Sequence, residues 1–365
     1  MDEPSRPTDP AAGPQAPGND PPRWSARMKA QSRAQAANRR LMMQVSKRYY
    51  LDGLTKVQIA EELGLSRFKV ARVLADAHEA GMVSITLNSG APLPALSEEV
   101  ARHLGLRGVH VVEVYGDEEN VRAAVGRTSG TYLRDVLQDG DVLGIGWGRT
   151  LNAMFDNLDH LPQIEIMQLS GRFLGDAHDS ATQLTRRTVA LAGGAVSAIP
   201  APFFIDDARQ ANALRRQPEV ASVVAGFNRL TTAVVGVGAV YPRPISVAYS
   251  QVPERFTAQV LHSGAVGEVQ GNLFAEDGRA VEPRLWRHTL NITPDQLRRV
   301  DRVVAAAADP VKARAVRAVC ASGVVTDLVV DVELANALLR LAPTSAAAAR
   351  SASRFTRTGS RPSPH

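Results

Sequence analysis

Beyond residue 95 two hydrophobic patterns take turns along the chain. Short apolar runs without period-two alternation stand at 108–114 (GVHVVEV), 141–146 (DVLGIG), 163–171 (QIEIMQLSG), 195–202 (AVSAIPAP), 231–240 (TTAVVGVGAV), 300–308 (VDRVVAAAA) and 325–331 (VTDLVVD). Segments with helical spacing separate them at 96–106, 118–137, 150–158, 180–194, 218–230 and 309–323, and another closes the series at 332–342. Continuous apolar strands are buried on both faces, and strands alternating with helices of this length build a parallel sheet covered on both sides. The pattern predicts an α/β domain over 95–342. Ligands of such sheets sit outside the carboxyl ends of the strands. Several of those ends carry small residues: Gly146 and Gly148, Gly171, Ala201, Gly236 and Gly238.

The pattern before residue 90 is different. Leu41, Met42, Val45 and Tyr49 recur at helical spacing, Thr55 caps a second helix ending at Leu63, and Ser66 caps a third running to about Ala80. Gly64 supplies the left-handed turn between the last two, Leu65 fills the gap, and Val70, Val73, Leu74 and Ala77 form an inner stripe. This combination predicts a helix-turn-helix over 39–89, with its third helix in the DNA major groove. Ser66, Arg67, Phe68, Lys69 and Arg72 face outward on that helix, while Thr55 and Lys56 open the preceding one against backbone phosphates. Arg67 and Arg72 suit either guanine edges or phosphates. A strand is expected at 81–87 (GMVSITL), followed by a linker at 90–94. No second strand with a hairpin turn follows, so a full winged domain is not expected.

Charge sharpens the division. Residues 23–80 hold twelve Lys and Arg against five Asp and Glu, within a chain whose formal net charge is only +5. A basic end on a slightly acidic body calls for an anionic partner, and double-stranded DNA fits it. Residues 1–22 carry seven prolines and four acids, so 1–38 is expected to be a disordered extension that turns basic, and 343–365 a disordered basic tail. The length of 365 residues allows two domains. The single cysteine, Cys320, excludes an internal disulfide and reads as a buried thiol. With no signal-peptide pattern and no apolar run of membrane-spanning length, a cytoplasmic location without a membrane partner is expected.

The segment VLGIGWGRTL (142–151) carries the most chemistry. A dinucleotide fingerprint requires Gly or Ala where Arg149 or Leu151 stands, and no Gly-Lys-Ser/Thr of a phosphate loop is present. What remains is a strand-to-helix turn whose free N–H groups at Gly148, Arg149 and Thr150 can face an anion, or a tight turn with no ligand. An enzyme would need an acid–base pair, for which Glu268 and Asp179 are the candidates. The eight histidines lack metal-ligand spacing, and no Gly-x-Ser-x-Gly elbow appears. No catalytic residue, metal or cofactor is assigned, and a sugar-phosphate isomerase-like enzyme with an added helical domain is the alternative reading.

Motifs in order along the chain, QIAEELGLSRFKVARVL, DGDVLGIGWGRTL, AVVGVGAV, GAVGEVQGNLFAEDGRAV and VVDVELANALL, resemble the SorC/DeoR-type sugar-binding transcriptional regulators over residues 40–342. The resemblance implies a Rossmann-like effector domain related to sugar-phosphate isomerases. It also implies a homo-tetramer (or dimer), and operator binding controlled by a phosphorylated sugar or related carbohydrate metabolite. By matching motif it assigns the effector site to Gly146, Trp147, Gly148, Arg149 and Thr150, with Arg172 as a second anion contact. Asp179 becomes a polar contact, Glu268 an acceptor for sugar hydroxyls, and Lys312 the group reaching the ligand's charged end. The chain departs from the family pattern at Ala305–Ala308, where alanines replace glycines ahead of Lys312.

Overall fold

The computed structural model describes residues 23–173, 181–240, 246, 248, 253–281 and 284–345. The chain divides into two units at Ser84/Ile85. In the first, α1 (Arg23–Ser46) continues as a π-helical turn over Lys47–Leu51, followed by α2 (Lys56–Leu63) and α3 (Arg67–Glu79). The helix begins at Arg23, so the stretch 23–38 expected as part of a disordered extension is helical here. Both later helices start as their caps dictate. Thr55 and Gln58 close a reciprocal capping box, and the Ser66 hydroxyl accepts the Lys69 N–H at 3.1 Å. Gly64 ends α2 at φ +63°, the left-handed conformation that glycine adopts at no steric cost. Val45, Ile59, Val70, Val73 and Ala77 form a closed core. Each Val or Ile fully removed from water there contributes about 1.5–3 kcal/mol.

The expected strand at 81–87 is not formed. The strand, β1, spans Leu87–Pro92, covers most of the expected linker, and pairs antiparallel with the sheet of the second unit. That unit continues through α4 (Pro94–Leu104), β2 (Gly108–Tyr115), α5 (Glu118–Val136), β3 (Val142–Ile145), α6 (Arg149–Phe155), β4 (Glu165–Gln168), α7 (Ala181–Ala192) and β5 (Val196–Ser197). After α8 (Ala208–Arg215) and α9 (Pro218–Gly226) come β6 (Thr232–Gly236), β7 (Gly238–Ala239), α10 (Glu254–His262), β8 (Ala265–Val269), β9 (Asn272–Ala275) and β10 (Ala280–Val281). The chain then forms α11 (Pro294–Leu297), β11 (Arg302–Ala307), α12 (Ala313–Ala321), β12 (Asp327–Asp331) and α13 (Val332–Leu339).

The main sheet runs β1-β2-β12-β11-β6-β3-β4-β5, parallel except at its β1 edge. Both faces are buried, as the apolar strands require. Val303, Ala305 and Ala307 of β11 join one core, and Val304, Ala306 and Ala308 the other. The alanines at 305–308 are thus core residues in and just after β11. Cys320 lies in the first core, and burial pushes its thiol pKa up to about 12. A second sheet, β10-β9-β8-β7, is antiparallel throughout and leaves the first by way of Val237, the single residue between β6 and β7.

The strand order fixes where a ligand belongs. From β3 the chain winds outward through β4 to β5; from β6 it winds the other way through β11 to β12. The carboxyl ends of β3 and β6 therefore form the topological switch point, where doubly wound sheets open a crevice.

Candidate functional site

Gly146, Trp147 and Gly148 connect β3 to α6 at this switch point. Gly148 caps α6 at φ +141°, where only glycine is at ease, and a β-carbon there would lie 3.8 Å from Gly236 Cα at the end of β6. A β-carbon on Gly236 would in turn meet the Trp147 carbonyl oxygen at 2.9 Å, so the two strand ends touch through backbone alone. The Trp147 ring is buried against Phe173 and Phe203 with centroids 4.6 and 5.2 Å away. Thr150 is buried one residue into α6, and Arg149 stands exposed at the first turn.

Helix α5 fixes the position of α6. Gly126 and Gly130 face it, and a β-carbon on Gly126 would lie 2.7 Å from Ala153 Cβ. This close approach sets the first turn of α5 beside that of α6. Glu118 pairs with Arg149 (Nη2–Oε1 3.3 Å) and also with Arg122. Lys312, in a short 3₁₀ turn after β11, completes the group. Burial, with repulsion from Arg149 and Arg122, holds its pKa below the usual lysine value, against the opposing pull of Asp309 and Glu118. Three cations thus gather there among the carboxylates of Asp309 and Glu118, with the buried Glu268 also within reach of the Lys312 charge. Because α6 spans seven residues, its dipole is short, and the convergent cations carry most of any anion affinity. Arg122 and Glu118 escaped the sequence reading. The signal was available, since both open the helix that follows the carboxyl end of β2.

Glu268 was expected as an acceptor for sugar hydroxyls, and its place is in β8. Its carboxylate is 4% exposed, accepts the Ser246 hydroxyl at 2.5 Å and the Gly271 N–H at 2.5 Å, and lies where a side chain on Gly238 would be. Burial raises its pKa although both bonds and the Lys312 charge favour the carboxylate. A void of about 20 Å³, room for one water, borders Glu268, Ser246 and Gly271. Between β8 and β9, Gln270 (φ +52°) and Gly271 (φ +77°) form a two-residue hairpin turn of the primed type. Arg172 is exposed after Gly171, with its backbone paired to Ala201 and Phe203. Asp179 lies outside the described residues.

A wider groove of about 630 Å³ lies elsewhere, along Gly108–Val112 of β2 and between α4 and α5. It opens where β1 does not cover the β2 edge. Beside it, Asp327 accepts bonds from Arg107, Thr326 and Tyr132. Burial alone would raise the Asp327 pKa; these partners outweigh it and hold the carboxyl below its ordinary value. Burial and the Asp327 bond push Tyr132 up to about 12. This cluster is at the amino ends of β2 and β12, away from the switch point. Its charged and polar groups are bonded to one another, and we read the groove network as structural.

In the first unit, Thr55, Lys56, Ser66, Arg67, Phe68, Lys69 and Arg72 are all exposed. Phe68 is 71% exposed, with the Arg67 guanidinium 4.8 Å from its ring centroid. Lys56 Nζ lies 5.6 Å from the Tyr49 ring centroid. Among the described residues, no group of His, Cys, Asp and Glu is arranged to hold a metal ion, and no helix is long and apolar enough to cross a membrane.

Residues 93–340 match the family described as "Putative sugar-binding domain". The chain is 30% identical over 314 residues to the transcriptional regulator LsrR of Klebsiella pneumoniae, covering 84% of this chain and 94% of that protein. It is 27% identical over 303 residues to the erythritol catabolism regulatory protein EryD of Brucella abortus, covering 80% and 93%. The fold is that of the full-length sorbitol operon regulator SorC from Klebsiella pneumoniae, with a TM-score of 0.64, 22% identity, and coverage of 82% of this chain and 98% of that one.

Proposed function

This chain belongs to the sugar-binding-domain family of SorC/DeoR-type transcriptional regulators, and from that premise we propose that Arg149, Lys312 and Arg122 grip the phosphate of a carbohydrate-derived effector that controls operator binding. The observation that carries this reading is the convergence of Arg149 after β3, Lys312 after β11 and Arg122 of α5, where burial first, and then repulsion from the two arginines, depresses the Lys312 pKa. The backbone at Gly146, Trp147 and Gly148 and the Thr150 hydroxyl complete the anion cradle, with Arg172 and Asp179 as outer contacts. Glu268 anchors the hairpin turn above it. Each of its oxygens accepts one bond, from the Ser246 hydroxyl and the Gly271 N–H, and no catalytic role is assigned.

In this reading Thr55, Lys56, Ser66 and Lys69 grip DNA phosphates, Arg67 and Arg72 reach base edges, and Phe68 meets thymine methyl groups. The regulator works in the cytoplasm as a homo-tetramer or dimer. Effector binding shifts the population between two arrangements of the protomers and so the spacing of the recognition helices. The test is a thermal-shift screen of sugar and polyol phosphates, followed by operator binding with and without each hit. Thr150→Val and Arg149→Ala should abolish the effector response while leaving the effector-free DNA affinity unchanged. An unaltered response in both variants places the effector elsewhere.

A further inference from the structure

Gln270 is placed oddly in four respects. Its side chain is 1% exposed. Both amide atoms, Oε1 and Nε2, lack a hydrogen-bond partner among the described residues. Its backbone takes φ +52°, which strains a residue with a long side chain. Its amide nitrogen stands 2.1 Å from where a β-carbon on Gly146 would be. The amide therefore fills the space left by the missing side chain of the cradle's first glycine.

The backbone around it is well satisfied. The Gln270 carbonyl accepts the Asn291 side-chain amide at 2.6 Å, the next N–H goes to Glu268, and Asn272 donates to the Val269 and Ile292 carbonyls. Among the described polar groups of this turn, only the Gln270 amide is left unpaired. At this turn position Asn, Asp or Gly would relieve the backbone strain, and an apolar side chain would avoid burying two unsatisfied polar atoms. The sequence keeps neither solution.

We propose that Gln270 is the specificity-determining contact for the carbohydrate part of the effector, hydrogen-bonding a hydroxyl or carbonyl oxygen beside Gly146 while the cations hold the phosphate. This rests on the phosphate cradle described above. A neutral carboxamide carries one acceptor and an NH₂ donor group, which matches a hydroxyl that both donates and accepts; it adds little for a bare phosphate already met by three cations. In the free protein the amide is buried without a partner among the described residues. A bound hydroxylated ligand supplies one, so the effector interacts differently with the two states, which a population-shift sensor requires. Such a contact also rejects ligands that lack the hydroxyl, since they leave the amide unpaired.

The experiment uses the full chain and isothermal titration with ribose 5-phosphate, fructose 6-phosphate, sorbitol 6-phosphate and inorganic phosphate. The variants are Gln270→Met, which keeps length without polarity, and Gln270→Asn, which tolerates the positive φ and shortens the reach. Thr150→Val serves as the cradle control. Both Gln270 variants should fold with a thermal midpoint equal to or above that of the parent. They should bind inorganic phosphate as the parent does and lose about tenfold or more of the parent's affinity for its preferred sugar phosphate. If both keep the parent's preference while Thr150→Val abolishes binding, the cradle stands and the role of Gln270 is refuted. If no compound binds the parent, or Thr150→Val binds as well as the parent, the cradle falls and this inference with it.

Discussion

Gly126→Ala isolates the packing that positions the cation cluster. In an open helix this change is worth up to about 1 kcal/mol in favour of alanine. Here the new β-carbon would lie 2.7 Å from Ala153 Cβ and 2.8 Å from both the Ala153 carbonyl carbon and the Met154 nitrogen. Ordinary contacts between carbons lie at roughly 3.5–4 Å, and two of the three neighbours are backbone atoms that cannot rotate away. Helices α5 and α6 must therefore move apart by about 1 Å, an overpacking that costs about 1–3 kcal/mol. Set against the gain in helix propensity, a net loss of about 0–2 kcal/mol is expected, centred near 1. Gly130→Ala, one turn on, is the internal control. Its β-carbon meets the Met154 carbonyl oxygen at 3.3 Å and Leu158 at 3.4 Å, so a shift of a few tenths of an ångström suffices and the net change should be near zero. Urea unfolding followed by tryptophan fluorescence, to which buried Trp147 contributes beside Trp24 and Trp286, reads both. The midpoint should fall for Gly126→Ala and stay for Gly130→Ala, at constant slope. Separation of the helices should also weaken sugar-phosphate binding for the first variant only. A Gly126→Ala protein more stable than its parent would refute the argument that contact between α5 and α6 is limited by this glycine.

Three further outcomes are expected. Lys312→Met should abolish binding of anionic effectors without lowering the stability of the free protein, because it removes a buried charge repelled by Arg149 and Arg122. For the parent, the depressed lysine pKa means anion affinity declines as pH rises through that folded-state value; affinity that is flat up to the usual lysine range, near 10.4, would count against it. Asp327→Asn should cost about 2–3 kcal/mol through its charged hydrogen bonds. With the folded Asp327 pKa lowered, its contribution is complete above the unfolded value near 3.9 and is lost as pH falls through the folded value, so acidification should destabilise the parent more than the variant. Arg67→Ala or Arg72→Ala should weaken operator binding by about 1–3 kcal/mol where a base edge is read, checked by mobility shift on operator and scrambled duplexes; equal losses on both duplexes would assign that residue to phosphate instead.

The alternation of apolar runs and helical segments was enough to place the seven parallel strands, because strands buried on both faces have a simple signature. Caps at Thr55 and Ser66 and the left-handed Gly64 were equally legible, being local. The β8–β9 hairpin was not. Its turn is Gln-Gly rather than Asn-Gly or Gly-Gly, and a glutamine at positive φ gives no turn signal. The burial of the Trp147 ring was not legible locally either, since it is anchored by Phe173 and Phe203, far away in sequence. The strand at Leu87–Pro92 was hidden by its proline and glycine, which an edge strand tolerates because half its backbone groups need no partner. The cation cluster combines the starts of α5 and α6 with the turn after β11, and nothing local to any of them announces the others.

The buried Cys320 thiol gives this protein a built-in clock. It is the chain's single cysteine, and with its pKa near 12 almost none of it is thiolate at neutral pH. A thiol-reactive dye therefore modifies the native protein only when the helix Ala313–Ala321 comes away from the sheet. That helix directly follows Lys312, so the labelling rate reports how often the charged end of the crevice opens. A ligand that clamps it would slow labelling in proportion to its occupancy, without an engineered residue.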